Sequence, residues 1–212
     1  LLAAVRPLKR GQFTGALPDH VAGIAPVEIG LPQPRAGAWL VGPPAGLDKP
    51  AGTRPHKYTH GHALVLSGGA GRTGAARLAA RGALRIGAGL VTLGAPQAAL
   101  PECAAQLTAV MLREIGDGAA LEAALEDRRL RALCLGPGLG VDDRGAGIVE
   151  AALRSGRPAV LDADALTLLA EAERGLCYGL HEGCLLTPHA GEFARLWPDL
   201  AARAEDAEAH GA

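Results

Sequence analysis

The segment His62–Leu93, HALVLSGGAGRTGAARLAARGALRIGAGLVTL, constrains the fold more than any other part of the chain. A continuous apolar run, a glycine turn, an alanine- and arginine-rich stretch with helical spacing and a second apolar run follow in order. That order reads as strand, helix and strand, one complete βαβ unit, in which the two strands run parallel. Inside it Gly69, Gly71 and Gly74 form a G-x-G-x-x-G. Such spacing can bring backbone N–H groups and a helix N-terminus against a phosphate, but glycine turns also serve plain strand-to-helix packing. A redox dinucleotide half further needs an acidic residue at the end of the second strand, for a ribose hydroxyl. No Asp or Glu occurs from Ala75 to Pro101, so a standard NAD-binding half is disfavoured and the loop needs another explanation.

The alternation continues downstream. Strands are expected at Ala63–Leu66, Leu90–Leu93, Leu107–Leu112, Ala132–Leu135, Ala159–Leu161 and Cys184–Leu186. Helices are expected between them at Thr73–Ile86, Ala119–Asp127, Arg144–Arg154, Ala165–Glu171 and Gly191–Trp197. Apolar strands alternating with amphipathic helices argue an α/β fold with a mostly parallel sheet covered on both faces. Arg77, Arg81 and Arg85 recur at helical spacing and read as a solvated face. Upstream, Ala25–Leu31 reads as one strand, and the five prolines of residues 33–55 mark a linker.

With 49% hydrophobic and 20% charged residues, a packed core is expected and disorder is not. A formal net charge of −1 gives no global pull toward nucleic acid or acidic membranes, and 3% aromatics argue against base-stacking platforms. No apolar run is long enough to span a bilayer. The four cysteines show no C-x-x-C spacing, and Cys134 and Cys184 read as buried thiols in a reducing, cytoplasmic setting. The chain does not begin with Met and opens mid-pattern, so it is expected to be a fragment.

Ligands of parallel sheets bind outside the carboxyl ends of the strands, and four unusual segments fall there. They are Ser67–Ala75, Gly136–Gly140, Asp162–Asp164 and Thr187–Glu192. Any one of them is explained by a turn; four on one edge make a pocket the better explanation. Gly136–Gly140 either supplies positive φ, with Asp142 or Asp143 capping the next helix, or lets backbone at Gly138 touch a ligand. Asp164 reads equally as a helix cap or a functional group, whereas Asp162, directly after a buried strand, needs a partner or a ligand. His189 sits beside Glu192 at a helix start, where a carboxylate also suits the helix dipole. His56, His60 and His62 cluster without a matching carboxylate or cysteine set, and are not taken as a metal site.

HKYTHGHALVLSGG, TGAARLAARGALRIGAGLVTL, LGPGLG, VLDADAL and LLTPHAGEFARL occur in that order, and through them residues 56–196 closely resemble the ADP/ATP-dependent NAD(P)H-hydrate dehydratases. Residues 8–32 resemble the last segment of the epimerase domain that precedes the dehydratase in bifunctional repair proteins. The resemblance implies a division into a 1–32 epimerase-like tail, a 33–55 linker and a 56–212 truncated dehydratase domain. It implies a ribokinase-like three-layer α/β fold, incomplete at the C-terminus. It implies a lyase of metabolite repair, removing water from the 6S hydrate of NADH or NADPH at the expense of ADP or ATP with Mg²⁺, and leaves a homo-oligomer open. By motif, Gly74, Ala75, Gly138 and His189 would contact the hydrated dinucleotide, Asp162 and Asp164 would edge the cleft, and Glu192 would help organise Mg²⁺ through water. The family's G-x-G-D loop, with the aspartate base, has no counterpart here, and the chain alone is expected to be inactive or impaired. The competing expectations are a kinase for a vitamin-type alcohol on the same fold, and a non-catalytic dinucleotide-binding fragment.

Overall fold

A computed structural model of the chain describes residues 2–5, 24–27 and 58–203. Residues Leu1–Gly46 and Leu47–Ala212 form two separate compact units. In the first, β1 (Leu2–Val5) and β2 (Ile24–Val27) pair in parallel. The strand expected at Ala25–Leu31 coincides with β2 over its first residues; its remainder, the linker at 33–55 and His56 lie outside the described residues.

The second unit is built on six parallel strands in the order β5-β4-β3-β6-β7-β8. They are β3 (His62–Leu66), β4 (Leu90–Ala95), β5 (Met111–Glu114), β6 (Leu130–Leu135), β7 (Ala159–Leu161) and β8 (Cys184–Leu186). The helices are α1 (Gly74–Ile86), α2 (Leu100–Gln106), α3 (Gly118–Leu125), α4 (Asp143–Arg154), α5 (Asp164–Ala170) and α6 (Ala190–Leu196). Side chains alternate across the strands, so two cores form. Leu64, Leu66, Leu133, Leu135, Ala159 and Leu161 point to the face covered by α3, α4 and α5. Val65, Val91, Leu93 and Ala95 point to the face covered by α1 and α2, where Ala76, Ala80 and Cys103 allow close approach.

Several expectations change. The strand placed at Leu107–Leu112 is instead β5, Met111–Glu114, at the sheet edge, where exposure removes the need for an apolar run. Leu107 and Val110 are buried from the connecting segment. Ahead of it, α2 starts across Pro101, which the first helical turn accepts because its N–H needs no partner. On the α1 side of the sheet, cover is incomplete toward β8, where Leu185 is 59% exposed; Cys134 on that side and Cys184 on the other are half-buried rather than buried. The arginine stripe of α1 is not merely solvated: Arg81 donates to the Gln106 carbonyl at 2.5 Å. Among the described residues no helix is long and apolar enough to cross a membrane.

Candidate functional site

Strands β3, β6, β7 and β8 are neighbours and parallel, so their four following loops open on one edge of the sheet. These are the four segments singled out above. Their contacts are made largely by backbone. A Cβ on Gly68 would lie 1.7 Å from the Gly138 carbonyl oxygen, and a Cβ on Gly136 would lie 1.7 Å from that of Asp162. Only glycine permits these approaches, which press the loop after β6 against those after β3 and β7. Gly138, at φ +71, has the Arg72 carbonyl 2.7 Å from where its Cβ would be. Its missing side chain is therefore required by the protein's own backbone, whatever ligand it meets.

The carboxylates complete the wiring. Asp164 is not the helix cap; it is the first residue of α5, and its Oδ2 accepts the Gly140 N–H at 2.8 Å. Asp162 Oδ1 accepts the Ala163 N–H at 2.9 Å, and Asp142 is the residue that caps α4. Ala163, between the two aspartates, has φ +47 and is the one non-glycine residue with positive φ among those described. Strain of this kind persists where surrounding contacts over-determine the backbone, often at functional edges. Ala75 and Asp162 line one cavity of ≈ 250 Å³, bounded by Leu66, Leu135, Pro137 and Leu78. Gly74 lines another, of ≈ 320 Å³, with Thr73, Arg77 and Glu102.

His189 begins α6, and its Nδ1 accepts the N–H groups of Gly191 and Glu192. Glu192 returns the bond, its Oε2 accepting the His189 N–H at 2.9 Å, while Oε1 lies 3.3 Å from His189 Nε2. This is a reciprocal capping box. The imidazole is 68% exposed at the loop surface, whereas Glu192 is buried. Both Glu192 oxygens are thus engaged, and among the described residues no three His, Cys, Asp or Glu side chains converge as a metal site would require. The described residues do not fit a Mg²⁺ cage. His62 is likewise structural: its Nε2 is hydrogen-bonded to Thr92 Oγ1 at 2.8 Å, and burial lowers its pKa.

Sequence reasoning missed Arg144. Its guanidinium donates to the carbonyls of Gly116 at 2.7 Å, Leu139 at 3.0 Å and Ser67 at 3.5 Å. It therefore ties together the segments after β5, β6 and β3. Burial lowers its pKa, with Asp142 and Asp117 opposing. Glu102 was missed too. Its Oε2 accepts the Gly71 N–H at 2.9 Å, so a carboxylate of the protein occupies the donor that the glycine pattern would offer a phosphate. The only advance signal was that Glu102 is the first acidic residue after the glycine loop.

Residues 63–212 match the family model for NAD(P)H-hydrate dehydratase. The bifunctional NAD(P)H-hydrate repair enzyme Nnr of Coxiella burnetii is 37% identical over 66% of this chain and 28% of its own length. The ADP/ATP-dependent NAD(P)H-hydrate dehydratase of Bacillus subtilis, co-crystallised with ATP/Mg²⁺, superposes with a TM-score of 0.58 at 27% identity, over 78% of this chain and 56% of that one. A ribokinase-like superfamily protein of Enterococcus faecalis superposes with a TM-score of 0.62 at 22% identity, over 76% and 58% of the two chains. The fold is ribokinase-like α/β. The chain spans 28%, 30% and 39% of the lengths of three curated relatives that it matches.

Proposed function

Because the chain belongs to the NAD(P)H-hydrate dehydratase family, we propose that it holds the hydrate of NADH or NADPH in an enzyme that removes the added water at the expense of ADP or ATP. The ring hydroxyl is a poor leaving group. A phosphoryl group transferred to it makes a good one, the ring nitrogen lone pair then expels phosphate to leave an iminium, and loss of a proton from the adjacent ring carbon restores the ring double bond. Such transfer depends on positioning and on stabilising charge. What these residues contribute is position. Gly74 and Ala75 bring the start of α1 to the substrate, Gly138 lets the opposing loop come close, and Asp162, Asp164 and His189 edge the cleft. Mg²⁺ would arrive with the nucleotide phosphates, keeping several waters, as it does where a protein offers few carboxylates. Four free cysteines support a reducing, cytoplasmic setting.

The observation that carries this reading is the opening of four motif-bearing loops on one edge of adjacent parallel strands, the three after β3, β6 and β7 being joined through Gly68, Gly136, Gly138 and Asp164. Calorimetric titration of the purified chain with NADPH hydrate, and with thiamine- and pyridoxine-type alcohols, tests it. Binding of the hydrate, weakened by Asp164→Ala, is expected. Tighter binding of a vitamin-type alcohol than of the hydrate would sink the proposal.

A further inference from the structure

Thr73 stands at the start of α1, and its residue type is favoured there because the hydroxyl can accept a backbone N–H. In this protein it makes no capping bond. It is 1% exposed, and its Oγ1 has no hydrogen-bond partner among the described residues. Two more buried atoms are unpartnered beside it: Arg77 Nε, one turn along α1, and Glu102 Oε1, on α2. All three residues line the ≈ 320 Å³ cavity together with Gly71, Gly74 and Gln106. That volume falls in the range of small-molecule sites, about 300–1,000 Å³. Buried polar atoms are nearly always paired in folded proteins, so three orphans around one cavity at a helix N-terminus point to a ligand.

The chemistry of the three groups narrows the ligand. Arg77 Nε only donates, a carboxylate only accepts, and a threonine hydroxyl does either. A ligand that serves all three must present an acceptor and a donor side by side. An anion would suit Arg77 and the helix end but would meet the Glu102 carboxylate. That group is held below the usual carboxylate range, first by the neighbouring Thr73 hydroxyl and then by the Gly71 N–H. A cation would meet Arg77. A neutral primary carboxamide fits, its oxygen accepting from Arg77 and its –NH₂ donating to Glu102.

We propose that Thr73, Arg77 and Glu102 form a subsite that reads a neutral primary carboxamide; resting on the function proposed above, the group it takes is the carboxamide of the hydrated nicotinamide ring. In that ring the carboxamide and the added hydroxyl sit on opposite carbons. Holding the carboxamide beside α2, on the β4 side of β3, turns the hydroxyl toward the β6 and β7 side, where Gly138 and Asp162 lie. The subsite thus sets ring orientation and discriminates an amide from the corresponding acid.

Titration of the purified chain with reduced nicotinamide mononucleotide and with its nicotinate counterpart tests this. The wild type is expected to prefer the amide by about tenfold or more, the scale of one charge-assisted hydrogen bond. Glu102→Gln keeps an acceptor for the Gly71 N–H and should bring the two ligands within about threefold. Thr73→Val should weaken the amide while leaving the melting temperature unchanged or higher, because it removes an unpartnered buried hydroxyl. A wild type that binds neither ligand, or both alike, overturns the proposal, as does full discrimination in folded Glu102→Gln. Hydrate binding with unaltered amide selectivity in Glu102→Gln would discard the subsite and keep the function. Amide selectivity without hydrate binding would do the reverse.

Discussion

Removing the Arg144 guanidinium should loosen the loop edge more than any other single polar change outside the cleft. Arg144→Met keeps an unbranched stem of similar reach and deletes the three donated bonds to Gly116, Leu139 and Ser67. Two of those bonds are short, and at about 1.5 kcal/mol each for a charged donor they account for about 3 kcal/mol. The bond to Ser67, at 3.5 Å, adds little. Against this, the half-buried cation is itself penalised by burial, which the variant relieves, and the thioether recovers some packing. A net loss of about 2 kcal/mol remains, or a melting temperature about 4–8 °C lower for a chain of this size. Urea unfolding followed by circular dichroism measures it. Arg144→Lys keeps the charge but lacks the planar fork, and should recover less than half of the loss. A change below about 0.5 kcal/mol for Arg144→Met, or complete recovery by lysine, would refute the clamp.

Two more perturbations probe the same architecture. His62 is held below the ordinary imidazole value by burial, with Asp127 opposing and Arg129 reinforcing. Its stabilising contribution is therefore complete above about pH 6.5 and declines as pH falls through the window below it, where the unfolded chain binds more protons. His62→Gln, which can still bond Thr92, should flatten the stability-versus-pH slope in that window; equal slopes would count against a titrating His62. Gly136→Ala combines φ +137 with a Cβ 1.7 Å from the Asp162 oxygen. Strain and overpacking together should cost about 3 kcal/mol or more, whereas Gly69→Ala, facing open space, should cost under about 1 kcal/mol, both read from urea midpoints.

How much of this was legible depended on whether a segment's own residues decided its structure. β3, β7 and β8 are short apolar runs between turn residues, and their placement follows from sequence within a residue or two. β5 was misplaced because it is an edge strand bearing Arg113 and Glu114, while the apolar Leu107 and Val110 nearby serve the core without being strand. α2 was hidden by Pro101, which reads as a breaker until its position in the first turn is known. The loops of the site were legible as glycine and acid motifs. The partner of each was not, because the contacts of Gly68 with Gly138, Asp164 with Gly140 and Glu102 with Gly71 join residues far apart in sequence.

That last point changes what the glycine motifs mean. A G-x-G-x-x-G invites a phosphate because its N–H groups are free, yet here the Gly71 N–H is already taken by Glu102. Gly138 invites a ligand because it lacks a side chain, yet the Arg72 carbonyl alone forbids one. Both glycines serve first to seat loops on each other, and the cleft is what that seating leaves. Among the unpaired buried side-chain atoms of the described residues, three cluster where α1 starts beside α2: Thr73 Oγ1, Arg77 Nε and Glu102 Oε1. Glu102 links the two roles, since one oxygen fixes the glycine loop while the residue also lines the cavity. Ligand selectivity and loop geometry are therefore coupled through one carboxylate, and Glu102→Ala should disturb both where Glu102→Gln disturbs only the first.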